Sequence, residues 1–201
     1  MAAVAAVAGL LASGATASAA APMVVHYTME GSAGGQSLPF ALPLGLDSVT
    51  APATVRPGAE FSVVIDSAPS TVPANIGGAT VQEVSEYVLR IPVPSNTTYV
   101  STALTGGSGP GPAPVVELVN GVIQVSTAGP VGGGQAFELP TLTITLIAGA
   151  SGTAETKLGG TSISDPGISF KAKVSVEGAT FDATAAGFPD PSPVLASTVI
   201  G

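Results

Sequence analysis

The chain of 201 residues has no cysteine and no tryptophan, and only 9% of its residues are charged. Without cysteine, structural disulfides, thiolate zinc sites, iron–sulfur clusters and cysteine nucleophiles are excluded. Five basic residues stand against thirteen acidic ones, which gives a net charge of −8. Nucleic-acid binding depends on Lys and Arg clusters that displace counterions, so the composition excludes a nucleic-acid partner. The aromatic stacking platform common in sugar-binding modules is not evident either.

The chain is instead rich in small, β-branched and turn-forming residues, with 26 glycines and 18 prolines. Helix-forming stretches are scarce after residue 22, and apolar residues alternate with polar ones, which is typical of half-buried strands. We therefore predict an all-β fold. Turn signals recur at intervals that predict an immunoglobulin-like β-sandwich of about eight to ten strands, with an additional N-terminal strand.

Residues 1–21 resemble a secretory signal peptide, because a short apolar run leads to small residues at Ala17 and Ala19. The segment has no Lys or Arg, so we expect the true translation start to lie upstream of Met1. A short Ala-rich helix of the mature domain is the alternative. The segment is too short for a convincing membrane span, so we expect no transmembrane anchor in the mature chain and a secreted, extracellular or cell-envelope location.

Residues 22–45 are predicted to form an N-terminal strand and an edge segment that precede a sandwich of residues 46–201. Residues 23–29 alternate between apolar and polar side chains, as a strand does, and residues 31–37 are predicted to be a flexible link. Residues 38–46 are apolar but contain two prolines. Because proline cannot donate to a central ladder, we expect an edge or crossing segment there rather than an interior strand.

Two turns are predicted with specific geometry. Residues 47–66 indicate strand, turn and strand, with a type II turn at Pro57-Gly58. Asn120-Gly121 lies between two Val-rich runs and predicts a two-residue hairpin that pairs Leu118 with Ile123.

Two further segments have an apolar–polar alternation that predicts a specific feature of each strand. A change of phase along residues 137–146 predicts a β-bulge at Leu139-Pro140. Residues 168–176 predict a half-buried strand whose outer face carries Lys171 and Lys173 as a solvated edge.

The candidate catalytic groups do not form a recognisable constellation. His26 is the only histidine and lies on the polar side of a strand, where we expect a structural role. Glu83 and Glu86 are three residues apart, so on a regular strand they would point to opposite faces and could not act as a carboxylate pair. Asp165-Pro166-Gly167 and Asp190-Pro191 have the composition of turns, and neither has the spacing of a calcium loop.

The glycine-rich segments also favour a structural interpretation. Residues 106–112 and Gly132-Gly133-Gly134 are not followed by a helix, as a phosphate-binding loop would be, so they are predicted to be flexible loops. Asn96-Thr97-Thr98 matches the glycosylation sequon, which matters only in a eukaryotic secretory route. We predict no catalytic, cofactor-binding or metal-binding residues, and no cofactor.

Several motifs occur in chain order and together carry a resemblance: SVTAPATVRPG at 48–58, IPVPSNTT at 91–98, ELPTLT at 138–143 with AGASG at 148–152, ETKLGGTS at 155–162 leading to Asp165-Pro166-Gly167, and PDPSPVL at 189–195. The chain resembles secreted actinobacterial, chiefly mycobacterial, β-sandwich proteins that genomes often label "cyclase" or "dehydratase". The resemblance covers most of residues 46–200 and implies the sandwich fold and secretion, but no site residues.

Three functions follow as hypotheses. The first is a non-catalytic secreted domain that binds a protein, glycan or lipid partner, with no catalytic motif to support the enzyme labels. The second is a hydrolase or cyclase whose carboxylates are brought together by the fold. The third is a carrier that holds an apolar ligand between the sheets, as the apolar residues 38–46 indicate. A large apolar cavity would favour the carrier. The sequence does not indicate an oligomeric state.

Overall fold

The structure is a computed structural model that describes residues 17–109 and 111–201, and the described part contains strands and no helix. The prediction of a signal peptide at residues 1–21 falls mostly outside this range. In chain order the strands are β1 Ala17–Ala20, β2 Met23–Ala33, β3 Gln36–Pro52, β4 Thr54–Val55, β5 Glu60–Ser67, β6 Ser70–Thr71, β7 Asn75–Ile76, β8 Ala79–Pro92, β9 Thr97–Thr105, β10 Val115–Val119, β11 Val122–Thr127, β12 Val131–Gly132, β13 Ala136–Phe137, β14 Thr141–Ala148, β15 Gly152–Lys157, β16 Ile168–Val176, β17 Ala179–Pro189 and β18 Val194–Ile200.

Ten of these strands form one long antiparallel sheet, in the order β10-β11-β8-β16-β17-β2-β3-β5-β14-β9. Strands β1, β7 and β12 pair along it, and β15, β18 and β4 form a second sheet. The long sheet curls until its two ends, β9 and β10, approach each other. The all-β fold of antiparallel sheets in a sandwich-like arrangement is confirmed.

The core lies inside this curled sheet, where the inward residues of opposite walls meet. Val25 and Tyr27 of β2, Val63 of β5, Ile91 of β8 and Ile144 of β14 are all buried in one apolar cluster. These residues occupy alternate positions of their strands, as the period of two requires. The predicted alternation of residues 23–29 is confirmed, because the intervening residues of β2 are exposed.

The turn at Pro57-Gly58 is confirmed. The Ala59 amide donates to the Arg56 carbonyl oxygen at 3.1 Å, and Gly58 has a φ of +73°. The strand before the turn is not continuous, however. Thr54–Val55 leaves the long sheet and pairs in parallel with β18, so the chain crosses to the second sheet before it returns as β5.

The hairpin at Asn120-Gly121 has the predicted register. Leu118 lies opposite Ile123, and Asn120 and Gly121 both have positive φ. The prediction for residues 137–146 was wrong in detail. Where a bulge was expected, β13 ends at Phe137 and β14 begins at Thr141, because the two segments pair with different partners.

The prediction of a flexible link at residues 31–37 was wrong. Strand β2 continues to Ala33, and a two-residue turn at Gly34-Gly35 joins it directly to β3. Both glycines have positive φ, which is the conformation of the type I′ turn that matches the twist of a hairpin. Pairing of Ala33 with Ala183 of β17 on the other side extends the strand to the turn.

The segment with two prolines lies at a local sheet edge, as predicted. Strand β3 stands between β2 and β5 in the sheet order, but among the described residues its first nine, residues 36–44, have a strand partner only in β2. The Gly45 carbonyl oxygen accepts from the Ala68 amide on the opposite side. Backbone groups of alternate residues point the same way, so those of Pro39 and Pro43 point to the same side as those of Gly45. This side has no partner strand at residues 36–44, so the missing N–H groups of the two prolines remove no hydrogen bond of the sheet.

Candidate functional site

Three tight turns lie together at one end of the long sheet. They are Gly34-Gly35 between β2 and β3, Gly77-Gly78 between β7 and β8, and Glu177-Gly178 between β16 and β17. All six residues have positive φ, so each turn has the two left-handed residues of a type I′ hairpin. The turns surround the mouth of an apolar pocket.

The pocket has a volume of about 520 Å³, which is within the range of about 300–1,000 Å³ that small-molecule sites occupy. Its floor is formed by alternate residues of two neighbouring strands, which share one face of the sheet. The floor contributes six apolar residues to the lining: Phe170, Ala172 and Val174 of β16, and Phe181, Ala183 and Ala185 of β17.

Two walls rise from this floor. One is the beginning of β3, which contributes Leu38, Phe40 and Leu42. The other is the segment of residues 72–84, which contributes Val72 and Val81, both buried, together with Ile76 and Val84. The predicted half-buried strand at residues 168–176 is therefore present, but the later half of its inner face borders an open pocket rather than a filled core.

The pocket mouth is apolar and exposed. Leu38 is 44% exposed, Val176 42% and Phe181 41%, each beside one of the three turns. Exposed apolar residues that stand singly are ordinary, whereas a continuous apolar surface that leads into a pocket indicates a ligand site. The sequence pattern does not indicate this site, although the apolar residues 38–46 include one of its walls.

The wall of residues 72–84 belongs to a second, smaller apolar cluster, which consists of Val72, Val81 and Val131. The pocket lies between this cluster and the main core. The wall is held by backbone bonds to the glycine turn that was predicted to be flexible. Gly134 donates to the Val72 carbonyl oxygen at 2.8 Å, and Gly133 packs so closely on the Val81 backbone that a side chain there would clash. Gly132-Gly133-Gly134 is thus a packed turn, and its prediction as a flexible loop was wrong.

The outer face of the same sheet carries charged residues. Lys171 is paired with Glu86 at 2.8 Å and Lys173 with Glu83 at 2.9 Å. Lys171 and Lys173 share one face, as predicted, but β16 lies between β8 and β17 and is not an edge. The hydrogen bond from Lys173 to Glu83, and the attraction between their charges, raise the pKa of Lys173.

The prediction that Glu83 and Glu86 point to opposite faces was wrong. The register between β8 and β16 shifts near Glu86, which has a φ of 49°. The extra residue of this β-bulge resets the alternation, so both carboxylates meet lysines on one face. A glutamate in this left-handed position gives no sequence signal of a bulge, since glycine is the usual residue there.

The other candidate residues have structural positions. His26 is exposed on β2, on the face opposite to the buried Val25 and Tyr27. Asn96 has positive φ and donates from its side-chain amide to the Thr153 carbonyl oxygen at 3.2 Å. Residues 106–112 include position 110, which lies outside the described ranges; Gly107 of this segment packs against the backbone of Pro140.

The chain changes direction at both aspartate-proline segments, as predicted, although the first turn is centred on Ile163-Ser164 and is closed by the Asp165 amide, which donates to the Ser162 carbonyl oxygen at 3.1 Å. Thr161 donates a hydrogen bond to Asp165 at 2.9 Å, and the Arg90 guanidinium donates to the Pro166 carbonyl oxygen at 3.1 Å. Gly167 packs against the Gly159 carbonyl so closely that a side chain would not fit. Asp190-Pro191 forms a bend between β17 and β18. Within residues 17–109 and 111–201, no three His, Asp or Glu side chains are grouped as a metal site would require.

The apolar pocket is next to a buried tyrosine of the core. Phe170 of the floor is stacked on Tyr87, with ring centroids 6.4 Å apart. Tyr87 and Tyr27 are both buried, and the Tyr27 hydroxyl has no hydrogen-bond partner among the described protein atoms. Burial raises the pKa of each phenol, and repulsion from Tyr87 raises that of Tyr27 further.

Comparison with known proteins supplies a fold neighbour and no family. No protein-family profile and no curated protein matches the chain. A crystal structure described as "Putative membrane anchored protein from Corynebacterium diphtheriae" matches with a TM-score of 0.54 and 20% identity. The match covers 90% of this chain and 37% of the neighbour, so this chain spans little more than a third of that protein. The likeness shows the fold alone.

Across the described part of the chain, no helix has the length and apolar character needed to cross a bilayer.

Proposed function

We propose that this protein is a non-catalytic domain, located at the cell envelope or outside the cell, that binds an apolar small molecule in the pocket between β3, β16, β17 and residues 72–84. The observation that carries the proposal is the pocket itself, which has a volume of about 520 Å³ and a predominantly apolar, uncharged lining. Pockets of this size and composition are the usual sites of small hydrophobic ligands.

The location is supported by two independent observations. The fold neighbour is described as membrane anchored and comes from an actinobacterium, the group that the sequence motifs also indicate. Residues 1–21 have the composition of a secretory signal peptide. Both favour a protein that works outside the cytoplasm, where apolar ligands need a carrier or a receptor because they are poorly soluble in water.

The proposal is tested with an uncharged fluorescent dye whose emission rises in apolar surroundings, such as Nile red. We expect saturable binding to the folded protein. Ala183→Trp places a large side chain in the pocket floor and should weaken binding at least tenfold. Thr180→Trp, at an exposed position of the same strand that faces away from the pocket, is the control and should leave binding unchanged.

Two results would count against the proposal. Absence of saturable binding to the wild-type protein is one, and equal effects of the two tryptophans is the other. Far-ultraviolet circular dichroism and the thermal midpoint of both variants show whether each is folded, so that loss of binding can be separated from loss of structure.

An enzyme is the second candidate, and one observation favours it. The bulge at Glu86 brings Glu83 and Glu86 to the same face, as a carboxylate pair would require. Each of them is ion-paired with its own lysine on an exposed face of the sheet, however, whereas glycoside hydrolysis needs two carboxyl groups that flank a bound sugar. Hydrolysis of chromogenic glycosides that is lost in both Glu83→Gln and Glu86→Gln would establish this candidate.

A further inference from the structure

We infer that the pocket selects lipids with an uncharged polar end, such as an ester or an alcohol, and discriminates against a free fatty-acid anion. This inference rests on the proposed function and adds the chemical class of the ligand. It follows from where the few cations of the chain lie and from the carboxylate beside the pocket mouth.

The chain has only five basic residues, and all five are in the described part. Lys171 and Lys173 are ion-paired on the outer face of β16, whereas the pocket lies on its inner face. Lys157 is paired with Glu155 at 2.8 Å in the second sheet. These three cations are already neutralised by carboxylates of the protein.

The two arginines are also absent from the described pocket lining. Arg90 donates to the Pro166 carbonyl oxygen. Arg56 belongs to the turn before β5, near the end of β3 that is opposite to the pocket. None of the five basic residues is among the described residues that line the pocket. A carboxylate in the pocket would therefore have no cation to pair with.

The lining itself cannot solvate a charge. Its polar residues are Ser32, Gln36, Ser37 and Thr184, which are all neutral, and the described lining contains no charged residue. An anion that leaves water without a partner pays a desolvation cost that neutral hydroxyl or ester groups largely avoid. An acyl chain of either kind would gain the same apolar contact, so the difference between them is set by the polar end.

A carboxylate beside the mouth opposes an anion further. Glu177 forms part of one of the three turns and is exposed. Its charge repels a negatively charged head group held at the mouth, although solvent and salt weaken this repulsion. The arrangement thus disfavours an anion both inside the pocket and at its entrance.

The test measures displacement of Nile red by three 16-carbon ligands at pH 8.5: methyl hexadecanoate, hexadecanol and hexadecanoate, each below the concentration at which it aggregates. We expect the ester and the alcohol to bind at least tenfold more tightly than the carboxylate. Equal or tighter binding of hexadecanoate would overturn this inference and leave the proposed function intact. Failure of all three ligands and of the dye to bind would overturn the proposed function itself.

A charge introduced at the mouth tests the physical cause. Phe181→Lys supplies the missing cation at a position that is 41% exposed, where a long flexible side chain fits. It should raise the affinity for hexadecanoate at least fivefold without raising that for the ester, and 0.5 M salt should reduce the gain. Phe181→Gln is the uncharged control. The same response in both variants would contradict an electrostatic origin of the selectivity and so overturn the inference.

Discussion

The side chain of Leu38 lies directly against the backbone of Gly77, with its Cδ2 atom in the space that a Cβ at residue 77 would occupy. Leu38 belongs to the wall formed by β3, and Gly77 belongs to the turn before β8 in the opposite wall. The contact therefore joins the two walls at the pocket mouth. It makes residue 77 a position where even one methyl group changes the shape of the mouth.

Gly77→Ala is expected to destabilise the protein more than Gly78→Ala does and to weaken dye binding. Both glycines have positive φ, so alanine at either position costs about 1 kcal/mol of backbone strain. Only at Gly77 does the new Cβ meet Leu38, since the space around Gly78 is open. Urea unfolding and Nile red titration of the two variants measure the difference.

The double variant Leu38→Ala/Gly77→Ala identifies the cause. Removal of the leucine side chain relieves the clash. In the Leu38→Ala background, Gly77→Ala should therefore lower the free energy of unfolding no more than Gly78→Ala does. If Gly77→Ala and Gly78→Ala are equivalent in the wild-type protein, the contact between Leu38 and residue 77 does not shape the pocket mouth.

Tyr27→Phe is expected to raise the free energy of unfolding by about 1 kcal/mol. The Tyr27 hydroxyl is buried and has no partner among the described protein atoms, and an unsatisfied buried hydroxyl costs about 1–3 kcal/mol. Tyr99→Phe is the matched control. It removes a hydroxyl that is 3.0 Å from the Thr102 hydroxyl, so it should lower stability by about 0.5–1.5 kcal/mol. Opposite signs in urea unfolding support the assignment, and a loss of stability in Tyr27→Phe contradicts it.

Stability is expected to fall steeply above about pH 10. Burial raises the pKa of both Tyr27 and Tyr87, so the folded protein keeps these phenols neutral while the unfolded chain releases their protons near pH 10. Their contribution is therefore fully present below pH 10 and is lost as the pH rises above it. Each buried tyrosine contributes up to about 1.4 kcal/mol per pH unit in this range.

The measurement is urea unfolding between pH 8 and pH 11.5, followed by circular dichroism and by phenolate absorbance at 295 nm. Phenolate absorbance from Tyr27 and Tyr87 should develop only as the protein unfolds. Tyr27→Phe should make the fall in stability less steep. Ionisation of all three tyrosines of the chain while the fold persists would show that these phenols are accessible.

The parts of this fold that could be predicted are those for which local sequence and long-range pairing agree. Asn120-Gly121 indicates its hairpin because Val-rich runs flank it on both sides. Gly34-Gly35 has equivalent turn chemistry, yet it stands within a run of small residues that has the composition of a linker. What extends β2 to that turn is its pairing with Ala183, which lies far away in sequence and which local periodicity does not reveal.

The pocket could not be predicted from the sequence for a related reason. The alternation of Phe170, Ala172 and Val174 predicts which face of β16 is apolar, but it does not tell what lies opposite that face. A weak signal is present in the small residues Ala172, Ala183 and Ala185, which leave space where a core would have larger side chains. The bulge at Glu86 was equally hidden, because its residue type suggests a regular strand.

The edge formed by residues 36–44 of β3 is expected to become prone to association when its prolines are replaced. Pro39 and Pro43 face the unpaired side, so an approaching strand finds no N–H donor at these two positions, and prolines at sheet edges are a recognised protection against association. The double variant Pro39→Val/Pro43→Val restores both donors and adds β-branched side chains, which favour strand pairing. We expect it to form dimers or larger assemblies at concentrations where the wild-type protein does not change its state.

Ala41→Val is the matched control, because residue 41 faces the same side and already has its N–H. Light scattering coupled to size-exclusion chromatography, at protein concentrations from about 10 to 200 μM, compares the three proteins. Association should appear in the double variant, should increase with concentration and should be absent from Ala41→Val. If the control associates as strongly, added apolar surface is responsible; if neither associates, the unpaired edge is protected by features other than its prolines. Either result contradicts a protective role of Pro39 and Pro43. Association of the double variant alone supports that role, because only this variant gains backbone donors on the open side of β3.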